Sequence, residues 1–195
     1  MSFLLAVSSS PRRNGNSELL LNSFSEGAQK AGQEVKTIRI NELNFRPCQA
    51  CDRCAPTGKC IVKDEMQNLY PLVESACGIV LAAPIFFGSM AAQLKTFIDR
   101  FQCWWHAKYN LETPFVRMEE NRPGFFICVG ALQREAYCEN AVDITKVFFH
   151  NINFKYAGTL CKRGYDEKGS IAKDPADLEE AFQAGYQFVK NQMPQ

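Results

Sequence analysis

Charge of either sign is not in excess: 22 Lys and Arg stand against 21 Asp and Glu, a net of +1, so no overall field draws the chain to nucleic acid or to an anionic membrane. Long apolar runs are missing too. None approaches the roughly 18 residues that a bilayer span needs, and the opening Met1-Ser2-Phe3-Leu4-Leu5-Ala6-Val7 has no basic lead. The chain is therefore expected to be cytoplasmic, with no membrane and no nucleic acid among its partners. Histidine is scarce at two residues, and neither His106 nor His150 belongs to a recognisable triad. Repeats, low-complexity stretches and Gly/Ser linkers are absent, which at 195 residues points to a single domain over 1–195.

Cysteine is the residue in surplus, at nine. Without a secretory leader, that number raises metal or redox chemistry before a disulfide framework. Four cluster at Cys48, Cys51, Cys54 and Cys60; Cys77, Cys103, Cys128, Cys138 and Cys161 are scattered among mostly apolar neighbours and read as ordinary core or surface thiols.

Apolar, β-branched or aromatic runs at Phe3 to Val7, Val35 to Ile40, Gly78 to Ala83, Gly124 to Val129 and Phe154 to Leu160 predict five strands. Between them lie amphipathic segments such as Leu20, Phe24, Ala28, Ala31 and Leu94, Phe97, Ile98, Phe101. Gly32 suits a C′ position, Asp64 with Gln67 resembles a capping box, and Asp174-Pro175 opens a last helix. Right-handed crossovers then give an α/β fold, a doubly wound five-stranded parallel sheet with helices on both faces. Two long loops are expected, at 41–63 with the cysteines and at 102–123 with Trp104, Trp105 and Tyr109, the aromatics serving best as an interface. Ligands in such folds sit beyond the strand carboxyl ends, at the loops after strands one, three and four.

After the first strand, Ser8-Ser9-Ser10-Pro11-Arg12-Arg13-Asn14-Gly15-Asn16-Ser17 runs into a helix. Hydroxyls, a guanidinium and free amides at a helix start form an anion cradle, while the lone glycine matches neither the dinucleotide nor the triphosphate fingerprint; a mononucleotide phosphate fits best. After the third strand, Pro84-Ile85-Phe86-Phe87-Gly88-Ser89 can lay aromatic surface and backbone amides along a flat heterocycle, or can anchor the loop in the core.

These segments resemble the NADPH-dependent FMN reductase family of flavodoxin-like proteins, including the iron-sulfur flavoproteins. The motifs are Ser-Pro-Arg-x-x-Gly-Asn-Ser at 10–17, Pro-x-aromatic-aromatic-Gly-Ser at 84–89 and Leu-Lys-x-Phe-Ile-Asp-Arg at 94–100. The resemblance implies that Ser10, Arg12, Asn16 and Ser17 hold the FMN phosphate, that Pro84, Ile85, Phe86, Phe87 and Gly88 contact ribityl chain and ring, and that Gly130 approaches the ring. It implies NAD(P)H as donor and a homodimer or homotetramer. Ser9 stands where many relatives have glycine. Lys95, Asp99 and Arg100 read as solvent-facing ion pairs or as support for the flavin loop, and no catalytic side chain is named, because the cofactor supplies the chemistry.

Cys48-x-x-Cys51-x-x-Cys54-x5-Cys60 is similar to the compact motif by which iron-sulfur flavoproteins ligate a [4Fe-4S] cluster. Related loops also occur without a cluster, and zinc suits separated ligand pairs better. Two redox functions follow: a reductase taking hydride from NAD(P)H to a quinone, nitro compound, azo compound or free flavin, and a carrier between FMN, the cluster and a protein such as ferredoxin. A cofactor-free interaction module is the third reading.

Overall fold

The computed structural model describes residues 2–193. The elements, in chain order, are β1 (Phe3–Ser8), α1 (Asn16–Lys30), β2 (Glu34–Arg39), α2 (Met66–Ser75), β3 (Gly78–Phe86), β4 (Ser89–Met90), α3 (Ala92–Asp99), α4 (Gln102–Tyr109), β5 (Pro123–Gly130), α5 (Ala136–Asn151), β6 (Lys155–Arg163) and α6 (Pro175–Gln192). Five strands pair in parallel in the order β2-β1-β3-β5-β6, and β4 pairs antiparallel with the end of β3. The order reverses between β1 and β3, which opens the switch-point crevice beyond their carboxyl ends.

Both sheet faces are covered, so the inner strands are apolar throughout rather than alternating. Leu5, Val7, Ile79, Leu81 and Phe126 pack with residues of α2 to α5, including Val73, Phe97, Trp104 and Phe149. Leu4, Ala6, Val80, Ala82 and Ile127 face α1 and α6 through Leu20, Phe24, Ala181 and Phe188. Each fully buried Val, Leu, Ile or Phe among them contributes about 1.5–3 kcal/mol. Helices α1 and α6 approach backbone to backbone at Gly27 and Gly185, where an added methyl would strike the carbonyl oxygens of Phe182 and Phe24. No helix among the described residues is long and apolar enough to cross a membrane.

The expected doubly wound sheet is present, and four local expectations need correction. The segment 102–123 is not one long loop: it begins with α4 and includes a 3-10 turn at Met118–Glu120. Trp104 is core, stacked on Phe115 at 5.0 Å, whereas Trp105 and Tyr109 are exposed. Asp64 accepts from the Met66 amide at 3.2 Å, but Gln67 donates to the Cys60 and Val62 carbonyls instead of closing a capping box. Lys95 and Asp99 do form an exposed pair, yet Arg100 is buried, because α3 aims it inward at Asp64.

Candidate functional site

A cavity of about 450 Å³ opens at the switch point, and all ten residues expected at a flavin line it: Ser10, Arg12, Asn16, Ser17, Pro84, Ile85, Phe86, Phe87, Gly88 and Gly130. Its phosphate end is the β1–α1 loop. Ser9 anchors the loop by donating both its amide and its hydroxyl to the Ala82 carbonyl, at 2.9 and 2.8 Å. The Ser9 hydroxyl thus adds a side-chain tie between the end of β1 and β3. The Ser10 hydroxyl accepts from the Arg12 amide at 3.2 Å and donates to the Arg12 carbonyl at 2.9 Å, folding the chain into a concave turn. Gly15 is the N-cap of α1 and offers no side-chain cap; a Cβ there would sit 2.9 Å from Ser10 Oγ and fill the cradle.

Of the first-turn amides of α1, that of Glu18 donates to the Gly15 carbonyl at 3.0 Å, which leaves those of Asn16 and Ser17 for an anion. Ser17 Oγ is buried and has no hydrogen-bond partner among the described residues. A buried hydroxyl without a partner is costly, and a bound phosphate would satisfy it. Asn16 acts differently: its side chain donates to the Glu167 carbonyl at 2.9 Å and accepts from the Ile171 amide at 3.2 Å, bracing the segment after β6. Only its backbone amide remains for a ligand. Glu18, the one acid in that turn, is neutralised by Arg39.

The opposite rim is the β3–β4 hairpin. Phe87 and Gly88 both adopt positive φ, 51° and 77°, between the paired Phe86 and Ser89. Two central residues of positive φ make a type I′ turn, for which Asn-Gly is the usual pair. A phenylalanine there costs about 1–2 kcal/mol in backbone strain. Its ring is fully exposed and Phe86 is 43% exposed, so neither is a core anchor. Asn140 of α5 donates to the Gly88 carbonyl at 2.9 Å, and the Tyr137 ring lies where a Gly88 side chain would be.

Sequence reasoning missed the third wall: Leu132, Arg134, Tyr137, Tyr165 and Lys168. Arg134 lies 5.4 Å over the Tyr137 ring. Hydrogen bonds to Asp177 and Asp174 raise the Tyr165 hydroxyl's pKa. The only signal for these residues is their position after the fourth and fifth strands of the parallel sheet.

The cysteine loop folds beside α3 and α4. Cys48, Cys51, Cys54 and Cys60 all line one small cavity of about 120 Å³, with Cys103 and His106 of α4 completing its wall. Ala50 and Asp52, each between two of these cysteines, are left-handed at φ 48° and 54°. Such non-glycine positions cost backbone energy and concentrate at functional sites. Burial pushes the Cys54 thiol up, and Cys60, Cys48 and Cys51 add to the effect as neighbouring negative charges. Burial pushes Cys103 up to about 11.

Arg100 organises this loop. It pairs with Asp64 at 2.6 Å, donates to the Arg46 carbonyl at 2.8 Å and reaches Cys60 Sγ at 3.5 Å. Burial works against the Asp64 carboxylate, yet donors from Arg100 and the Arg46 and Met66 amides hold its pKa below the usual range. Four cysteines lining one small cavity, with a cation at the Cys60 thiol, are a donor set of the kind that holds a metal-sulfur cluster.

The scattered cysteines are not all ordinary thiols. Cys138 and Cys161 form a disulfide, and Cys128 lies beside it. Pairing of β5 with β6 sets Cys128 opposite Cys161, and the first turn of α5 lays Cys138 over them.

A family model described as NADPH-dependent FMN reductase matches residues 3–151. An iron-sulfur flavoprotein of Methanosarcina thermophila is 35% identical over 97 residues, 50% of this chain and 51% of that protein. One of Archaeoglobus fulgidus is 32% identical over 102 residues, 52% and 46% of the two chains. The chain thus spans about half the length of the curated relatives it matches. Among solved structures, an NAD(P)H:quinone oxidoreductase from Methanothermobacter marburgensis superposes with TM-score 0.75 at 16% identity, over 100% of this chain and 99% of that one. An azoreductase from Bacillus anthracis gives 0.73 at 16% identity, over 96% and 100%; at these identities the likeness is one of fold. Sheet order, switch-point cavity and sequence match agree: the chain belongs to the NADPH-dependent FMN reductase family and is a flavoprotein whose cofactor is FMN.

Proposed function

We propose that this protein is an FMN-dependent oxidoreductase that takes its electrons from NADH or NADPH. The observation that carries the reading is the unpartnered Ser17 hydroxyl, buried at the start of α1 inside a cavity whose other end is an exposed aromatic turn. Ser10, Arg12, Ser17 and the amides of α1 hold the phosphate, Asn16 contributing its amide alone. Pro84 to Gly88 and Gly130 line the ribityl chain and ring, and the strained I′ turn keeps Phe86 and Phe87 at the mouth, where a nicotinamide can stack. When bound, FMN supplies the redox chemistry, accepting a hydride and releasing electrons to the acceptor. No side-chain acid or base is required.

A second reading adds a [4Fe-4S] cluster held by Cys48, Cys51, Cys54 and Cys60, making the protein a carrier between FMN, the cluster and a partner such as ferredoxin. It is supported by the single cavity those four cysteines share and by relatives named iron-sulfur flavoproteins. Assembly as a homodimer or homotetramer is part of the proposal. Exposed Trp105, Tyr109 and Val147 around a groove between α4 and α5 give it apolar surface to cover.

Anaerobic addition of NADH or NADPH to the FMN-loaded protein tests the first reading. Bleaching of the flavin absorbance supports it; bleaching by dithionite or reduced ferredoxin alone supports the carrier and refutes the nicotinamide-dependent reductase.

A further inference from the structure

The Cys138–Cys161 disulfide occupies an unusual place. Cys138 contributes to the wall of the flavin cavity beside Val129, Gly130 and Tyr137, and with Cys161 it also lines a separate groove of about 490 Å³ on the outer side of α5 and β6. One bridge thus borders both the cofactor site and a second surface opening. The three sulfurs of Cys128, Cys138 and Cys161 lie within 4.8 Å of one another.

We propose that Cys138–Cys161 is a redox-active bridge that passes two electrons from the flavin cavity to a low-molecular-weight disulfide bound in the outer groove. The proposal rests on the FMN reading above and names an acceptor class for it. In the first half, the Cys138–Cys161 bond breaks as the bridge takes two electrons from reduced FMN and two protons, leaving two thiols and oxidised FMN. In the second half, one thiolate attacks the disulfide in the groove, forming a mixed disulfide and releasing one thiol. The other cysteine then attacks the mixed disulfide, releasing a second thiol and closing the bridge again. The sum is one reduced flavin and one disulfide in, one oxidised flavin and two thiols out.

Cys161 suits the attacking role, because it is only partly buried, sits on the edge strand β6 and lines the groove. Cys138 is buried in the first turn of the 16-residue α5, where the helix dipole favours a thiolate, and is placed to resolve while bordering the inner cavity. Cys128 cannot compete, because burial pushes its thiol up to about 12 and keeps it protonated at neutral pH. It closes the inner side of the site.

The test uses the oxidised, FMN-loaded protein, photoreduced anaerobically with EDTA, quenched in acid, unfolded and alkylated, with labels mapped by mass. Cys138 and Cys161 should be labelled after illumination, unlabelled before it, and unlabelled in illuminated FMN-free protein. Adding hydroxyethyl disulfide to the photoreduced protein should restore the flavin absorbance, and Cys161→Ser should slow that return roughly tenfold or more. A bleached flavin with the bridge intact, labelling before illumination, or equal rates in the variant each overturn the proposal while leaving the FMN reading standing. Failure to bind FMN overturns both.

Discussion

Replacing Ser17 by Ala should move two measurements in opposite directions. In the FMN-free protein the hydroxyl is buried without a partner. Removing it relieves a desolvation cost of about 1–3 kcal/mol, so the FMN-free protein should be unchanged or more stable to urea. In the complex the same hydroxyl donates to a phosphate dianion, a charge-assisted bond of about 1.5–3 kcal/mol. Its loss should weaken FMN about 10- to 150-fold, at 1.4 kcal/mol per decade. Riboflavin, lacking the phosphate, should bind wild type and variant alike. Fluorescence titration with both flavins, alongside urea unfolding of the FMN-free proteins, reads all three quantities. An unchanged FMN affinity would refute the placement of the phosphate, and equal losses for FMN and riboflavin would mean that the substitution merely distorts the loop.

Arg12→Ala should weaken FMN about tenfold and leave riboflavin unaffected, with the loss shrinking as salt rises, because the side chain is an exposed cation at the cavity mouth; a salt-independent loss contradicts that role. Changing any one of Cys48, Cys51, Cys54 or Cys60 to Ser should remove iron and acid-labile sulfide from anaerobically reconstituted protein and leave the flavin spectrum intact; wild type reconstituted without iron would sink the cluster. Arg100→Leu leaves Asp64 without its cation and should cost about 3 kcal/mol in denaturant unfolding, and a loss below about 1 kcal/mol would show the pair to be incidental. Burial works against the Asp177 carboxylate, but Lys162 and the Tyr165 hydroxyl hold its pKa below the ordinary 3.8. Its contribution is present above that value and is lost as pH falls through the lower, folded pKa, so Asp177→Asn should flatten the acid limb of a stability profile; an unchanged limb contradicts the pairing.

The strands were legible because a sheet covered on both faces demands unbroken apolar runs, and Phe3 to Val7 and Gly78 to Ala83 can be little else. Both loops of the cavity were legible for a related reason: each follows a strand at its carboxyl end and carries its own chemistry. Helix α4 was not legible, since Gln102, His106 and Lys108 interrupt its apolar stripe and its fold depends on Trp104 finding Phe115. Arg100 directly follows the exposed Lys95–Asp99 pair in sequence, and only the loop returning Asp64 decides that its side chain turns inside. The turn at Phe87-Gly88 carries no conventional hairpin residue at its first position, so its geometry is set by pairing of β3 with β4 rather than by local preference. The meeting of Cys128, Cys138 and Cys161 is a matter of strand register, to which sequence spacing is blind.

The central claim is that the switch-point cavity is a preformed FMN site, and a calorimetric titration of FMN-free protein with FMN tests it most directly. The account predicts one FMN per chain at micromolar or tighter affinity, with riboflavin binding distinctly more weakly because the α1 cradle then has no phosphate to hold. No uptake at micromolar concentration, or equal affinity for the two flavins, would contradict it.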